Sequence, residues 1–281
     1  MEYTSKFVLS EVLTIQYIGS TVRPTLTLLP IYWMVNTSLK TNFEVYSKIP
    51  TLYPHEPTLQ NYKDLFVKTK FLSGIKNSLI ISIVSATFSI LVAFPAAYAV
   101  SRLRFNGKEF MSRTILFCYL IPASVLYIPL FIILYKLGLT DTRLGLMLIY
   151  PTATVPYAAW MLIPNLRSVP LSIEEAALID GCSRGQVITK IMLPLAFPCV
   201  ISTFIFTFGA CWGEYLYALV NINSESLKTY PLILSGLIFG DMFPWGEIMA
   251  GGVLASIPLI LIYVLLSNFL ITGTTEGGVK G

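Results

Sequence analysis

Five stretches of this chain run for more than twenty residues without a charged side chain: 77–101, 114–135, 144–166, 191–213 and 248–275. About 20 apolar residues in a helix cross the hydrocarbon core of a bilayer, where no water satisfies backbone groups left outside a helix. A soluble domain carries charge at about a quarter of its positions. Here charged residues make up 12%, hydrophobic residues 55%, and the mean hydropathy is +0.71. The chain of 281 residues is therefore read as an all-α, polytopic membrane protein. A further span is expected at 14–35, where Arg23 interrupts the apolar run and would be buried against protein or snorkel to the interface. A helix lying in the interface is the alternative there. Six transmembrane helices result, at roughly 14–35, 77–101, 114–135, 144–166, 195–220 and 248–272, in one domain covering 1–281.

Between the fourth and fifth spans lies a polar segment, EEAALIDGCSRGQVITKIMLP, Glu174–Pro194. Ser172 with Glu175 three residues on is a capping box, which starts a helix near Ile173. Gly181 stands where a helix C-terminus wants a left-handed residue. Ser183 with Gln186 repeats the capping pattern for a second helix, and Pro194 is expected to close the segment, 172–194. Ile173, Ala176, Ala177 and Asp180 share one face at i, i+3, i+4, i+7. Two alanines keep that face low, so another backbone could approach it. An ordinary connecting loop would show the same local features.

The spacing Glu175-Ala176-Ala177, three residues, Gly181, nine residues, Ile191-Met192-Leu193-Pro194 resembles the EAA signature of the membrane subunits of ABC importers. Every signature position matches. Gly185 departs from it, since sugar-type members usually carry a bulky or aromatic residue there. The external stretch Pro57-Thr58-Leu59-Gln60-Asn61-Tyr62 and the glycine-rich tail Gly273–Gly281 resemble the carbohydrate branch, similar to the smaller maltose-type permease. The resemblance implies a binding-protein-dependent permease forming half of a translocation path for a sugar or oligosaccharide. It implies that the 172–194 loop is cytoplasmic and docks into a separate ATPase. Glu174, Glu175, Ala176, Ala177, Asp180, Gly181, Arg184, Leu193 and Pro194 would form the coupling site, with Ala176 and Ala177 against the ATPase, Glu175 at the contact and Gly181 at the turn. For Arg184 a solvated surface charge is the weightier reading and an ionic contact with the ATPase the other. The implied partners are a second homologous permease, two ATPase copies and an extracytoplasmic solute-binding protein, in a bacterial or archaeal plasma membrane.

Charge patterning points the same way. The short loop after the 77–101 span carries Arg102, Arg104, Lys108 and Arg113 against Glu109, which places it in the cytoplasm, along with both chain ends. The longer 40–72 segment, with five lysines, would then face outward as an ordered cap. The loop Asn221–Trp245 also faces outward; its apolar stretch Pro231–Gly240 is too short to span and reads as re-entrant or amphipathic. In the resembling family, it reaches toward the binding protein. Glu214 is the acidic residue within a span, and Trp212, Tyr215 and Tyr217 surround it. Carboxylate and rings together suit sugar hydroxyls and ring faces, making these four the candidate substrate path; an interfacial aromatic belt is the alternative. Gly209 and Gly213 form a small-xxx-small face suited to close helix packing. Prolines at 95, 122, 129, 151, 156, 198 and 258 permit kinks, fixed or moving.

Enzymatic chemistry is not expected. The chain has one histidine, His55, and four dispersed cysteines, which form neither a zinc pattern nor a disulfide framework. Gly107-Lys108 lacks the glycine five positions earlier that a phosphate-binding loop needs, since Arg102 stands there. No cofactor, metal or cleavable signal peptide is expected, and a net charge of +4 is too diffuse for nucleic acid. Other solutes for the same machinery are glycerol phosphate, a polyol or an acidic oligosaccharide. A secondary transporter would want internal repeats and several midplane carboxylates, which the sequence does not offer. A membrane scaffold would account for the docking loop but not for kinked, aromatic-lined helices.

Overall fold

The computed structural model describes residues 27–240 and 243–275, with side chains to residue 269. These residues form helices joined by short connections, in two compact units. The first unit holds residues up to Thr69 together with Leu237–Ser256. Within it, helical residues 27–38 (α1) lead to α2, Asn42–Val45, and α3, Gln60–Lys68. Asn61 on α3 is buried and donates to the carbonyls of Ser38, at 2.9 Å, and Lys40, at 2.8 Å. The Lys40 ammonium is buried too, donating to Thr51 O at 2.5 Å while lying 5.1 Å from the Trp33 ring centre. These bonds turn the 40–72 segment, expected as an ordered cap, into one. The expected span 14–35 falls mostly outside the described residues, and so does Arg23.

The second unit holds Lys70–Gly236 and the chain from Ile257. Its axis is α4, Phe71–Arg102, packed against α7, Arg143–Ser168, and α10, Leu193–Trp212. Small residues on α4 make this possible. Gly74, Ser78, Ser82, Ser85, Ser89, Ala93 and Ala97 recur at helical spacing and are all buried, so neighbouring backbones come close. Lipid is as apolar as leucine, so contact and hydrogen bonding hold such a bundle together rather than hydrophobic expulsion. The Ser89 and Thr154 hydroxyls meet at 2.7 Å between α4 and α7. At Gly74, an added Cβ would lie 2.5 Å from Ile233 Cδ1 and 3.2 Å from Tyr230 Cα, which seats a short helix, Tyr230–Ser235, on α4.

Helix α4, α7, the run Arg184–Trp212 and the final helix, Trp245–Thr275, are long and apolar enough to cross a membrane. The expected third span is not one straight helix. It consists of α5, Lys108–Leu120, and α6, Ala123–Lys136, bent by 97° to each other, giving a fifth crossing if the pair is one span. Ile121 precedes Pro122, and a residue before proline is pushed out of the helical region; its ψ is 123°. The expected 195–220 span is interrupted as well: α10 ends at Gly213, and a separate helix, α11, Leu216–Asn221, follows. Prolines 95, 151, 156 and 198 stay inside their helices.

Candidate coupling site

Val169 and Pro170 end α7 and open α8, Leu171–Ile179. Helix α8 begins earlier than the Ser172 capping box predicts, with no side-chain cap. Proline presets φ at the first turn, here −58°, and lacks the N–H that would need capping. The C-terminus follows expectation. Gly181 has φ +86°; its N–H donates to Leu178 O at 3.2 Å and that of Cys182 to Ala177 O at 3.0 Å, the paired bonds of a Schellman ending. Ser183 and Gln186 form the reciprocal capping box, at 3.3 and 2.8 Å. Gly185 is exposed, and only Ser183 Oγ lies near the place of its missing Cβ, at 4.0 Å, so the absence of a bulky side chain leaves no gap in the packing.

Pro194 does not close the segment. The chain stays helical from Arg184 to Trp212: α9, Arg184–Gln186, widens to a π-helix over Val187–Met192 before Leu193 and Pro194 start the α10 ladder. The wide turn takes up the backbone mismatch that the proline ring would otherwise force on a regular helix. Leu193 packs beside the core of this region, and Pro194 is exposed.

The face assigned to α8 divides. Ile173, Glu175, Ala176 and Asp180 are exposed, and Ile179 is 85% exposed. Ala177 turns inward and packs with Tyr98, Leu166, Val187 and Met192. Glu174 turns inward with it, three residues earlier. Its Oε1 lies 2.6 Å from Arg102 Nε, the two side chains being 5% and 8% exposed, and its Oε2 accepts from the Tyr98 hydroxyl at 2.9 Å. The same guanidinium donates through Nη2 to the Val169 carbonyl. Arg184 is exposed and joins Arg104, Glu175 and Leu178 around a cleft of about 650 Å³. Sequence reasoning missed Tyr98 and Arg102. Apolar periodicity cannot find an inward face carried by a carboxylate, and the partner lies 72 residues upstream (174 − 102) on another helix.

The proposed substrate-path residues do not share a surface. Trp212 is buried, stacked on Phe208 at a ring distance of 5.7 Å and tilted against Tyr230 at 4.8 Å. Tyr217 is buried in a different cluster, its ring 4.4 Å from that of Tyr127. Only Glu214 and Tyr215 are half-buried. The Glu214 carboxylate accepts from the N–H groups of Tyr217, at 2.8 Å, and Ala218, at 3.2 Å, at the start of α11. Its first role here is a helix cap, placed where the macrodipole favours negative charge. Among the described residues, no cluster of His, Cys, Asp or Glu could hold a metal.

The described helices form a membrane-type bundle from which a capped two-helix hairpin projects between two spanning helices. The chain belongs to the family of binding-protein-dependent transport system inner membrane components, whose model matches residues 86–275. It is 36% identical over 267 residues to the inner membrane ABC transporter permease protein YcjP of Escherichia coli (strain K12), covering 94% of this chain and 95% of that one. It is 31% identical over 255 residues to the diacetylchitobiose uptake system permease protein DasC of Streptomyces coelicolor, covering 90% and 91%. A chain of the bacterial ABC transporter that imports the acidic polysaccharide alginate shares the fold, with a TM-score of 0.76 at 22% identity over 91% of this chain and 95% of that one. The chain is thus a transmembrane permease subunit of an ABC importer, a transport protein of the inner membrane and not an enzyme.

Proposed function

We propose that the whole chain, 1–281, acts as one permease domain forming half of the translocation path of a carbohydrate importer, driven by ATP hydrolysed on a separate cytoplasmic subunit. The observation that carries this reading is the 172–194 hairpin. It is closed by Gly181 at φ +86° and the Ser183 capping box, and it presents Glu175, Ala176 and Ile179 outward. Ala176 is the low point that a partner backbone can approach. Glu175, Asp180 and Arg184 ring it with charge, while Glu174, Ala177 and Leu193 hold the hairpin to the bundle. Gly181 and Pro194 shape its two ends.

The assembly holds this chain, a second homologous permease, two ATPase copies and an extracytoplasmic solute-binding protein, in a bacterial or archaeal plasma membrane. Both termini and the hairpin face the cytoplasm. Likeness to a diacetylchitobiose permease supports a sugar or oligosaccharide as the solute. Glu214 and Tyr215 remain the residues proposed to reach the path; Trp212 and Tyr217 would reach it only through repacking of α10 and α11.

The test is co-purification of the tagged chain from its native cell in mild detergent. An ATPase and a second permease should come with it, and Ala176→Arg should lose the ATPase while keeping the permease. Ala177 is unsuitable for this purpose, since its side chain is core. The binding protein captured with the complex is then titrated with sugars, glycerol phosphate and polyols. Saturable binding of a sugar supports the carbohydrate reading; binding of an anionic solute alone replaces it. A chain that purifies alone, from cells whose uptake needs no ATP, overturns the proposal.

A further inference from the structure

Helix α8 has nine residues and buries only Glu174 and Ala177. A helix this short is not stable alone in water, so its orientation depends on what holds those two side chains. Ala177 supplies contact but little directional constraint. Glu174 supplies direction. Its carboxylate accepts a hydrogen bond from the Tyr98 hydroxyl at 2.9 Å and lies 2.6 Å from Arg102 Nε as an ion pair without hydrogen-bond alignment, both partners coming from the last turns of α4. The guanidinium also binds the Val169 carbonyl, in the connection that leads into α8. One buried cluster therefore joins the end of α4, the end of α7 and the start of the hairpin.

A buried ion pair is poor evidence for stability, because desolvation offsets most of its attraction; its best-attested use is to fix one geometry among several. An apolar trio of the same volume would pack here as well. It would also let α8 rotate about Ala177, a rotation that the Tyr98–Glu174 hydrogen bond and the close ion pair beside it oppose.

The geometry points to Arg102 and Glu174, with Tyr98, as positioning residues of energy coupling: a polar lock that makes the hairpin and α4 move as one body. Displacement of the hairpin by an ATPase then reaches α4 without being absorbed at the Val169–Pro170 joint. This inference rests on the proposed docking of the hairpin.

The test uses the complex co-purified with the tagged chain, in a background lacking the native cysteines. Spin labels are placed at Ile179, on the exposed tip of the hairpin, and at Leu91, on an exposed face of α4. Distances are measured without nucleotide and with MgATP plus vanadate. The unmodified lock should give one narrow distance population, the same in both states. Glu174→Gln, and the volume-matched double replacement Arg102→Met/Glu174→Leu, should lose that single population and become nucleotide-dependent, while the ATPase stays bound. Narrow, unchanged distances in both variants would overturn the lock. So would variants that no longer reach the membrane, since the trio would then serve folding alone. The Ala176→Arg control separates this from the underlying reading: if that variant retains its ATPase, hairpin docking fails, whatever the distances show.

Discussion

Replacement of Gly181 by valine isolates the backbone requirement of the hairpin from its contacts. The residue has φ +86°, and a Cβ built there meets no atom within 4 Å. The Cβ itself therefore meets no collision, and the cost that the structure shows is conformational. A non-glycine residue in the left-handed region costs about 1–2 kcal/mol, and a β-branched one stands at the upper end. If the chain instead abandons the turn, it forfeits the bonds from Gly181 to Leu178 and from Cys182 to Ala177. Each contributes about 1 kcal/mol net, so the two routes cost nearly the same. A loss of that size lowers the population of the closed hairpin by about 5–30-fold where the hairpin is marginal. The assay is the amount of ATPase recovered with tagged chain, alongside the amount of chain in the membrane. Gly181→Val should lower the first by about that factor and leave the second unchanged. Gly181→Asn should stay near the unmodified level, because asparagine tolerates the left-handed region. Equal losses for valine and asparagine, or full recovery with valine, would refute the conformational account.

Two further outcomes follow from the same structure. Gly145→Ala places a Cβ 2.3 Å from the Leu139 carbonyl oxygen, a backbone atom that cannot swing away; the overpacking should cost about 1–3 kcal/mol, read as a lower melting temperature in detergent, and an unchanged value would count against the packing at the start of α7. Asp141 accepts from Ser224 Oγ at 2.5 Å and from the N–H groups of Ser224 and Asn223 at 2.9 and 3.0 Å, and these bonds, the Ser224 hydroxyl first, hold its carboxyl below the ordinary range. A lowered folded-state pKa adds stability above the unfolded value of about 3.9 and loses it as pH falls through the folded value. Melting of Asp141→Asn, chosen because Asp141 itself has φ +56°, should trail the unmodified chain at neutral pH, with the gap starting to close only below about pH 4 and vanishing once pH passes below the lowered folded-state value; a constant gap throughout would show that the charge is not what the two N–H groups require.

Much of this protein is written along the chain, where the controlling physics is local. Charge-free runs must be helices in lipid, since a backbone there has no other source of hydrogen bonds. That reasoning locates α4, α7, α10 and the final helix without tertiary information. The same locality covers Gly181 and the Ser183–Gln186 box, each defined by bonds spanning a few residues. Short-range chemistry also misleads where two local signals compete. Ser172 and Glu175 look like a cap, but Pro170 starts the helix first. Hydropathy reads 114–135 as one span, but Pro122 breaks it.

Only the folded chain decides which face of α8 turns inward. Glu174 looks on paper like Glu175, an acidic residue in a polar loop. Arg102 looks like one more loop cation useful for counting orientation. Their burial together depends on α4 and the hairpin meeting at the same end of the bundle. The residues that bring them together are small ones, scattered along α4 and matched on α7 and α10. The aromatic residues around Glu214 make the same point in reverse. Adjacent along the chain, Trp212 and Tyr217 are parted by the break at Gly213, which sends them into separate cores. Lipid punishes unpaired backbone residue by residue, so spans are legible one at a time. A buried charge is tolerated only beside a partner, and the partner's place is a property of the whole bundle.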